Sequence, residues 1–320
     1  MESLRHNRRR GAALMLSLWA LFLLSAMVIS WTLDIGSRLA LSGKANRRLE
    51  AEAMACSGVE VAMHPQVKPD SEALAGRFGK NQSYEARITG EGGRINLNWV
   101  TQIPENPARL EVLRKYLENK GFELDERDAM IDTLLDWVDP DNLVRLNGAE
   151  EEPGYQPANR PLRRLEELKK VKGWQEFTSS NNWDADFTLD SQPGGQQAGQ
   201  QGGQQGGQSG GLNLAWASRD VILALPGMSE DRVDQFLALR SGPDGIDGTD
   251  DDGIRSIQEA EVVLGSPPGQ LGAIGVVFDK NLNGQVLRVV SIGKSGEVAR
   301  TVRVVFVRQN PPQLKSWKEF

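Results

Sequence analysis

Cysteine and histidine are almost missing from this 320-residue sequence: there is one Cys, Cys56, and there are two His, His6 and His64. A single cysteine excludes an intramolecular disulfide. A structural zinc site of Cys and His needs about four such ligands, and they are not here. His6 lies in a basic stretch, which leaves His64 alone for imidazole chemistry. The sequence also lacks H-E-x-x-H and G-x-S-x-G. Gly293-Lys294-Ser295 resembles the end of a phosphate loop, but Arg288 stands where the upstream glycine is needed. Asp136, Asp139 and Asp141 could form an acid–base pair, yet Trp137 and Pro140 between them read as a helix end. No constellation for catalysis remains, and a non-enzymatic chain is expected. Excess positive charge is lacking too. There are 37 Lys and Arg against 43 Asp and Glu, a net charge of −6. Phosphate affinity comes largely from Lys and Arg, so nucleic acid is not an expected partner.

Long apolar runs, by contrast, are present, and the first residues are the most informative. Met1 to Gly11 carry Arg5, Arg8, Arg9 and Arg10 against Glu2. Ala12 to Trp31 then hold no charge, and serine is their sole polar type. At ~1.5 Å per residue this run spans roughly 30 Å, the hydrocarbon thickness of a bilayer. The arginines predict a cytoplasmic N-terminus, with the rest of the chain outside. A secretory signal peptide has a shorter apolar core followed by a small-x-small site, which is missing here. A plain signal anchor is the other alternative. Gly11, directly before the apolar run, points to something more specific. A peptidase cutting between Gly11 and Ala12 at the membrane face would leave the helix whole. That arrangement resembles a type IV pilin-like leader.

Thr32 to Met63 contain no proline, and Leu33, Leu39, Leu49, Val59 and Met63 fall at roughly helical spacing among alternating charges. The helix is expected to run to His64-Pro65, where proline discourages it. Cys56 is expected to be a small buried packing residue on this helix. Tyr84–Thr89 and Arg94–Trp99 alternate around Gly90-Glu-Gly-Gly and read as a β-hairpin. Three helices are predicted between 105 and 175, beginning at Pro107, Asp125 and Pro161. Residues 191–211 are almost wholly Gly and Gln, cannot bury a core and predict a disordered loop. Helical pattern returns at 218–225 and 229–240. Residues 285–292 and 298–307 alternate around Gly293-Lys-Ser-Gly as a second hairpin.

The motifs, in this order, resemble the type II secretion protein K family, the K-type minor pseudopilins of the general secretion pathway. Carrying the resemblance are the Arg-Arg-Arg-Gly leader, Gly90-Glu-Gly-Gly-Arg-Ile-Asn-Leu-Asn, Leu135-Asp-Trp-Val-Asp-Pro-Asp, Asn147-Gly-Ala-Glu with Tyr155, and Leu223-Ala-Leu-Pro-Gly-Met. Most pilin-like proteins carry Glu at the fifth mature position. Leu16 stands there here, and its lack of charge is itself typical of the K type. The resemblance implies an α+β, type IV pilin-like fold: a long N-terminal helix on an antiparallel sheet, with a large inserted helical domain. The expected divisions are a leader (1–11), a transmembrane stem (12–63), a sheet (64–104 and 272–320), an inserted helical domain (105–190 and 212–271) and the Gly/Gln loop (191–211). The resemblance further implies cleavage at Gly11–Ala12 by a prepilin peptidase, N-methylation of Ala12 and residence in the inner membrane with a periplasmic C-terminal domain. It also implies assembly at a pseudopilus tip with I- and J-type minor pseudopilins, and through them with the H- and G-type subunits. The function expected is capping and initiation of that pseudopilus during protein export.

Two further motifs carry expectations of their own. Ser241–Ile254 holds Asp244, Asp247, Asp250, Asp251 and Asp252 among glycines. Hard cations take six to eight oxygens, so Ca²⁺ is expected there, held by Asp247, Asp250, Asp251, Asp252 and Glu259. The EF-hand fit is incomplete, because Gly248 occupies its first position. Asp279-Lys-Asn-Leu-Asn-Gly has a similar opening and reads better as a turn. Leu225-Pro-Gly-Met-Ser-Glu resembles a helix-hairpin-helix turn. This leaves an alternative function, a membrane-anchored DNA-binding module of a DNA-uptake system. Glu230, Asp231 and Asp234 beside the turn argue against phosphate.

Overall fold

The computed structural model describes residues 2–180, 182–191 and 211–320. Most of the Gly/Gln loop therefore lies outside the described residues. Helix α1 runs without a break over Glu2–Met63. It stops where Pro65 supplies no N–H, and His64 N–H closes the last turn on Val61 O at 3.1 Å. Leu33, Leu39 and Leu49 do not form its packing stripe; all three are exposed. The stripe is made of small residues, Ala51, Ala55, Gly58 and Ala62, together with Val59, at helical spacings of three and four. Cys56 lies at the edge of this stripe and is half-buried rather than buried.

Strands β1 (Ala75–Phe78) and β2 (Gln82–Gly90) follow as a hairpin. The hairpin expected between 84–89 and 94–99 does not form. At Glu91–Gly93 the chain makes a 3-10 turn and leaves the sheet. Gly93 enters a space with no room for a side chain, since a Cβ there would lie 2.2 Å from the Trp216 carbonyl oxygen. β3 (Ile95–Asn96) instead pairs in parallel with β4 (Phe187–Thr188), far along the chain.

The helical body starts at that point. The Asn96 side chain caps α2 (Leu97–Val100), accepting from Asn98 N–H at 3.0 Å. Asn106 caps α3 (Pro107–Asn119), with proline in the first turn where its missing N–H costs nothing. Glu126 accepts from Glu123 N–H at 3.0 Å to start α4 (Leu124–Val138). The helix expected from Pro161 is a short 3-10 segment, Leu165–Lys170. Its apolar residues explain this: Leu162, Leu165, Leu168 and Val171 recur every third residue, the repeat of a 3-10 turn. α5 (Gln175–Ser179), α6 (Arg219–Leu223), α7 (Glu230–Arg240), α8 (Ile257–Leu264) and α9 (Gln270–Ala273) complete the body. Trp99, Tyr116, Trp174 and Phe187 are fully or almost fully buried at its centre. Their ring contacts include Tyr116–Phe187 at 5.1 Å, within the usual range for aromatic pairs. This core runs from Ile95 to Val276, wider than the expected 105–271.

The chain then returns to the sheet as β5 (Val286–Ser295), β6 (Val298–Val307) and β7 (Gln313–Glu319). The sheet is antiparallel in order β1-β2-β5-β6-β7, so the two hairpins meet along β2 and β5, with Gly90 opposite Leu287. Ile88, Leu287, Val289, Val302, Val304 and Phe306 face the stem. The helix approaches so closely that a Cβ on Gly293 would lie 2.0 Å from the Ala51 carbonyl oxygen. Gly293→Val should therefore lower stability by about 1–3 kcal/mol, the usual range for overpacking. Gly36→Ala has nothing within 4 Å of the added carbon and should not lower it. Denaturant titration of both variants against the parent checks this.

Candidate functional site

The candidate site is an assembly surface rather than a pocket: a stem, a sheet and the joint that fixes the helical body to them. The stem contains the stretch over Leu14–Met63 that is long and apolar enough to cross a membrane, and the apolar window within it is unburied. It is consistent with a membrane anchor or a signal. Gly11 and Ala12 lie on the same continuous helix. Leu16 is 71% exposed.

At the joint the Glu91 carboxylate is buried, and Arg288 of β5 donates to both its oxygens at 2.7 Å. Thr188 Oγ1 donates to Glu91 at 2.6 Å, and Arg94 approaches at 3.4 Å. Burial by itself would raise the Glu91 pKa, but Arg288 and then Arg94 outweigh it and hold the carboxyl below its ordinary value. Burial pushes Arg94 down to about 10, still cationic at neutral pH. Arg94 Nε also donates to the Ala185 carbonyl at 2.8 Å. On the outer face Arg303 of β6 meets Asp184 at 2.5 Å, and Lys318 of β7 meets Glu166 at 2.5 Å. Trp216 plugs the same joint, where Gly90, Gly93 and Gly248 all press on it. Sequence reading missed Glu91, Arg288 and Trp216. The available signal was a charged residue among three glycines, a stretch that reads in sequence as the turn of a β-hairpin.

The structure places each residue expected to hold calcium. Asp247 accepts from Arg240 at 2.9 Å and from Ser241 at 2.8 Å. Asp252 is buried and accepts from Gly248 N–H at 2.9 Å. Asp251 takes a short hydrogen bond from Thr249 Oγ1. Asp250 points outward to Lys68 at 3.4 Å, and Glu259 accepts from Arg255 N–H at 2.8 Å, beside the start of α8. The loop is closed by its own hydrogen bonds. Among the described residues no three His, Cys, Asp or Glu side chains are placed to hold a metal ion. As arranged, the set does not form a cage. The 279–284 loop is a turn in which Asp279 accepts from Asn281 N–H at 2.9 Å and from Gln285 at 2.7 Å.

Asp136 and Asp139 are buried and share the Arg145 guanidinium, which also reaches Glu105 at 2.6 Å. These contacts fix the loop after α4. Burial raises the Asp139 carboxyl despite its bond to Arg145. At the hairpin between α6 and α7, Gly227 takes the left-handed φ of +75° that the turn needs. Arg219 is held by Asp234 at 2.6 Å and Glu230 at 3.0 Å, and Arg240 is buried against Asp247. Arg219 and Arg240 are therefore already matched by carboxylates, while Arg232 donates to the Leu264 carbonyl at 3.5 Å.

A stem helix on a five-stranded antiparallel sheet, interrupted by a helical body, is a pilin-like fold with an insertion. A chain of the GspK-GspI-GspJ complex of the enterotoxigenic Escherichia coli type 2 secretion system has this fold. It matches with a TM-score of 0.54 and 14% identity over 90% of this chain and 98% of that one. The family model described as Type II secretion system (T2SS), protein K, matches residues 93–179. Type II secretion system protein K of Pectobacterium carotovorum subsp. carotovorum is 27% identical over 194 residues, 52% of this chain and 59% of that protein. The Klebsiella pneumoniae protein of the same description is 34% identical over 99 residues, 28% of this chain and 30% of its own length. The aligned part thus spans less than two thirds of these curated relatives. Residues 93–179 of this chain are thus similar to the type II secretion system protein K family, and the chain as a whole has the fold of a chain of the GspK-GspI-GspJ complex.

The joint generates a test. Arg288→Ala removes the two-pronged partner of a buried carboxylate, leaving it Arg94 at 3.4 Å, and should cost about 3–5 kcal/mol. Because Glu91 titrates below its unfolded value, its contribution is complete above about pH 4.3 and is lost as pH falls through the folded value. Glu91→Gln with Arg288→Met should flatten the acid side of the stability profile relative to the parent. Denaturation midpoints measured from pH 7 downward check both.

Proposed function

We propose that the chain is a K-type minor pseudopilin of a type II secretion pseudopilus. It is held in the inner membrane by the stem, with the N-terminus cytoplasmic and the folded body periplasmic. A prepilin peptidase cuts between Gly11 and Ala12, and the new terminus is N-methylated. The subunit then joins I- and J-type minor pseudopilins at the tip, with H- and G-type subunits below, and takes part in initiating the filament during export. One observation carries the reading: a helical body is welded to one pilin-like sheet by the buried Glu91–Arg288 pair. A body fixed this rigidly is too wide to repeat along a thin filament, which favours one terminal position. Leu16 in place of an acidic residue fits a subunit with no neighbour above it.

Mass analysis of the N-terminus, with and without a co-expressed prepilin peptidase, tests the proposal. Loss of residues 1–11 solely with the peptidase is the expected result, and an intact N-terminus in both samples overturns it. Co-purification with I- and J-type subunits tests the partners. Calcium at the 241–259 loop is a separate proposal, resting on its oxygen-rich composition. An ion would have to displace Arg240 and Thr249. A calorimetric calcium titration should show binding that Asp251→Asn with Asp252→Asn removes; a flat parent titration discards it.

A further inference from the structure

The end of the sheet nearest the apolar stem carries a cationic collar. The β1–β2 turn (78–82) and the β5–β6 turn (295–298) meet there beside α1, and Gly296 N–H donates to the Asn81 carbonyl at 2.9 Å. Gly79 and Gly296, at φ +62° and +59°, make both turns tight. With Gly43, Asn46, Arg47 and Glu50 of the stem they enclose a polar cleft of about 470 Å³. Lys44, Arg47, Arg48, Arg77, Lys80 and Lys294 are exposed around this end. Among the described residues none of the six is in a salt bridge. The carboxylates at this end are Glu297 and Glu50, and Ser295 Oγ already donates to Glu50 at 2.6 Å. Asp34, lower on the stem, faces Arg38 at 2.9 Å; Glu52 and Glu85 lie further up. The end is therefore positive on a chain whose net charge is −6. Phe78, at the tip of the first turn, is 50% exposed and flanked by Arg77 and Lys80.

We infer that this collar docks on the anionic headgroups of the bilayer that holds the stem. The inference rests on the proposed membrane reading of α1. Position supports it: at ~1.5 Å per residue, Gly43 stands about 18 Å beyond Trp31 along the helix. Headgroups extend about 5–7 Å past the hydrocarbon, and a stem tilt of about 20° lowers one side of the sheet towards them. The remaining gap is comparable to a lysine side chain plus a Debye length of about 8 Å. Each Lys or Arg near an anionic surface favours it by roughly fivefold. Phe78 supplies an aromatic group of the kind that sits at headgroup level. The collar would hold the subunit in one orientation on the membrane until it is drawn into a filament.

The test uses the full chain in nanodiscs of phosphatidylcholine alone and of phosphatidylcholine mixed with phosphatidylglycerol. Hydrogen–deuterium exchange is read at 76–83 and 293–298, with 14–31 as the insertion control. Severalfold slower exchange of both turns in the anionic discs alone, reversed by Lys80→Glu with Lys294→Glu and by added salt, is the expected result. Equal exchange of the turns in both discs, with 14–31 protected, overturns the collar and leaves the membrane reading standing. Exchange throughout 14–31 in both discs overturns the membrane reading and the collar with it. Protection that appears on adding partner subunits rather than anionic lipid assigns the patch to a protein contact and overturns the inference.

Discussion

Burying a carboxylate is expensive unless a cation is buried with it, and the structure turns on one such pair. Glu91 sits where the chain leaves the sheet, and Arg288 sits where it has just returned, 197 residues later. The core of the helical body, from Ile95 to Val276, lies between them in sequence. The pair therefore ties the two ends of the insertion to each other and to the central strands β2 and β5. A loop of this length is costly to close from the unfolded state, though the cost grows slowly with length. Once closed, Thr188 and Arg94 satisfy the remaining capacity of the carboxylate, so no lone pair is left to favour an alternative joint.

The two bodies on either side of that pair are built by different packing rules. The helical body fills its centre with large rings in tilted and edge-on contact. The stem instead presents alanine and glycine, with Val59, to the aliphatic side chains and Phe306 of the sheet, trading buried area per residue for closeness of backbone approach. A smooth, small-residue face lets a straight helix lie across a twisted sheet with few protruding side chains. The large apolar residues of the lower stem are left exposed, consistent with a membrane anchor or a signal.

The electrostatic layout follows the same division. Carboxylates near the α6–α7 turn and in the 241–259 loop are spent on Arg219, Arg240, Thr249 and backbone N–H groups, which makes those segments rigid parts of the body. Asp136 and Asp139 are spent on Arg145 in the same way. Six exposed cations outside salt bridges, Lys44, Arg47, Arg48, Arg77, Lys80 and Lys294, gather at the end of the sheet nearest the apolar stem.

The sequence by itself determined what depends on neighbours a few residues apart. The uncharged run from Ala12 to Trp31 sets a membrane-length stem, and Pro65 stops its helix. Alternation across 285–307 sets the β5–β6 hairpin, and proline and asparagine near 106 start α3. These features rest on local periodicity and on single residues that permit or forbid a backbone state. The tertiary structure decided the rest. The glycines around Glu91 look like a hairpin turn until Trp216 and Arg288 arrive from distant parts of the chain to fill their space. The stem stripe looked like leucines because leucine is the larger apolar residue. Which face packs was settled by Gly293 and Ser291 across the interface. The carboxylates of 244–252 read in sequence as cation ligands, and the fold adds that Arg240 and Thr249 hydrogen-bond to three of them, Asp247, Asp251 and Asp252. At the joint and the stem the deciding contacts join residues with no local relation in sequence, so no window along the chain contains them; in the 244–252 loop the partners are near in sequence, and the folded loop decides which carboxylate each one meets.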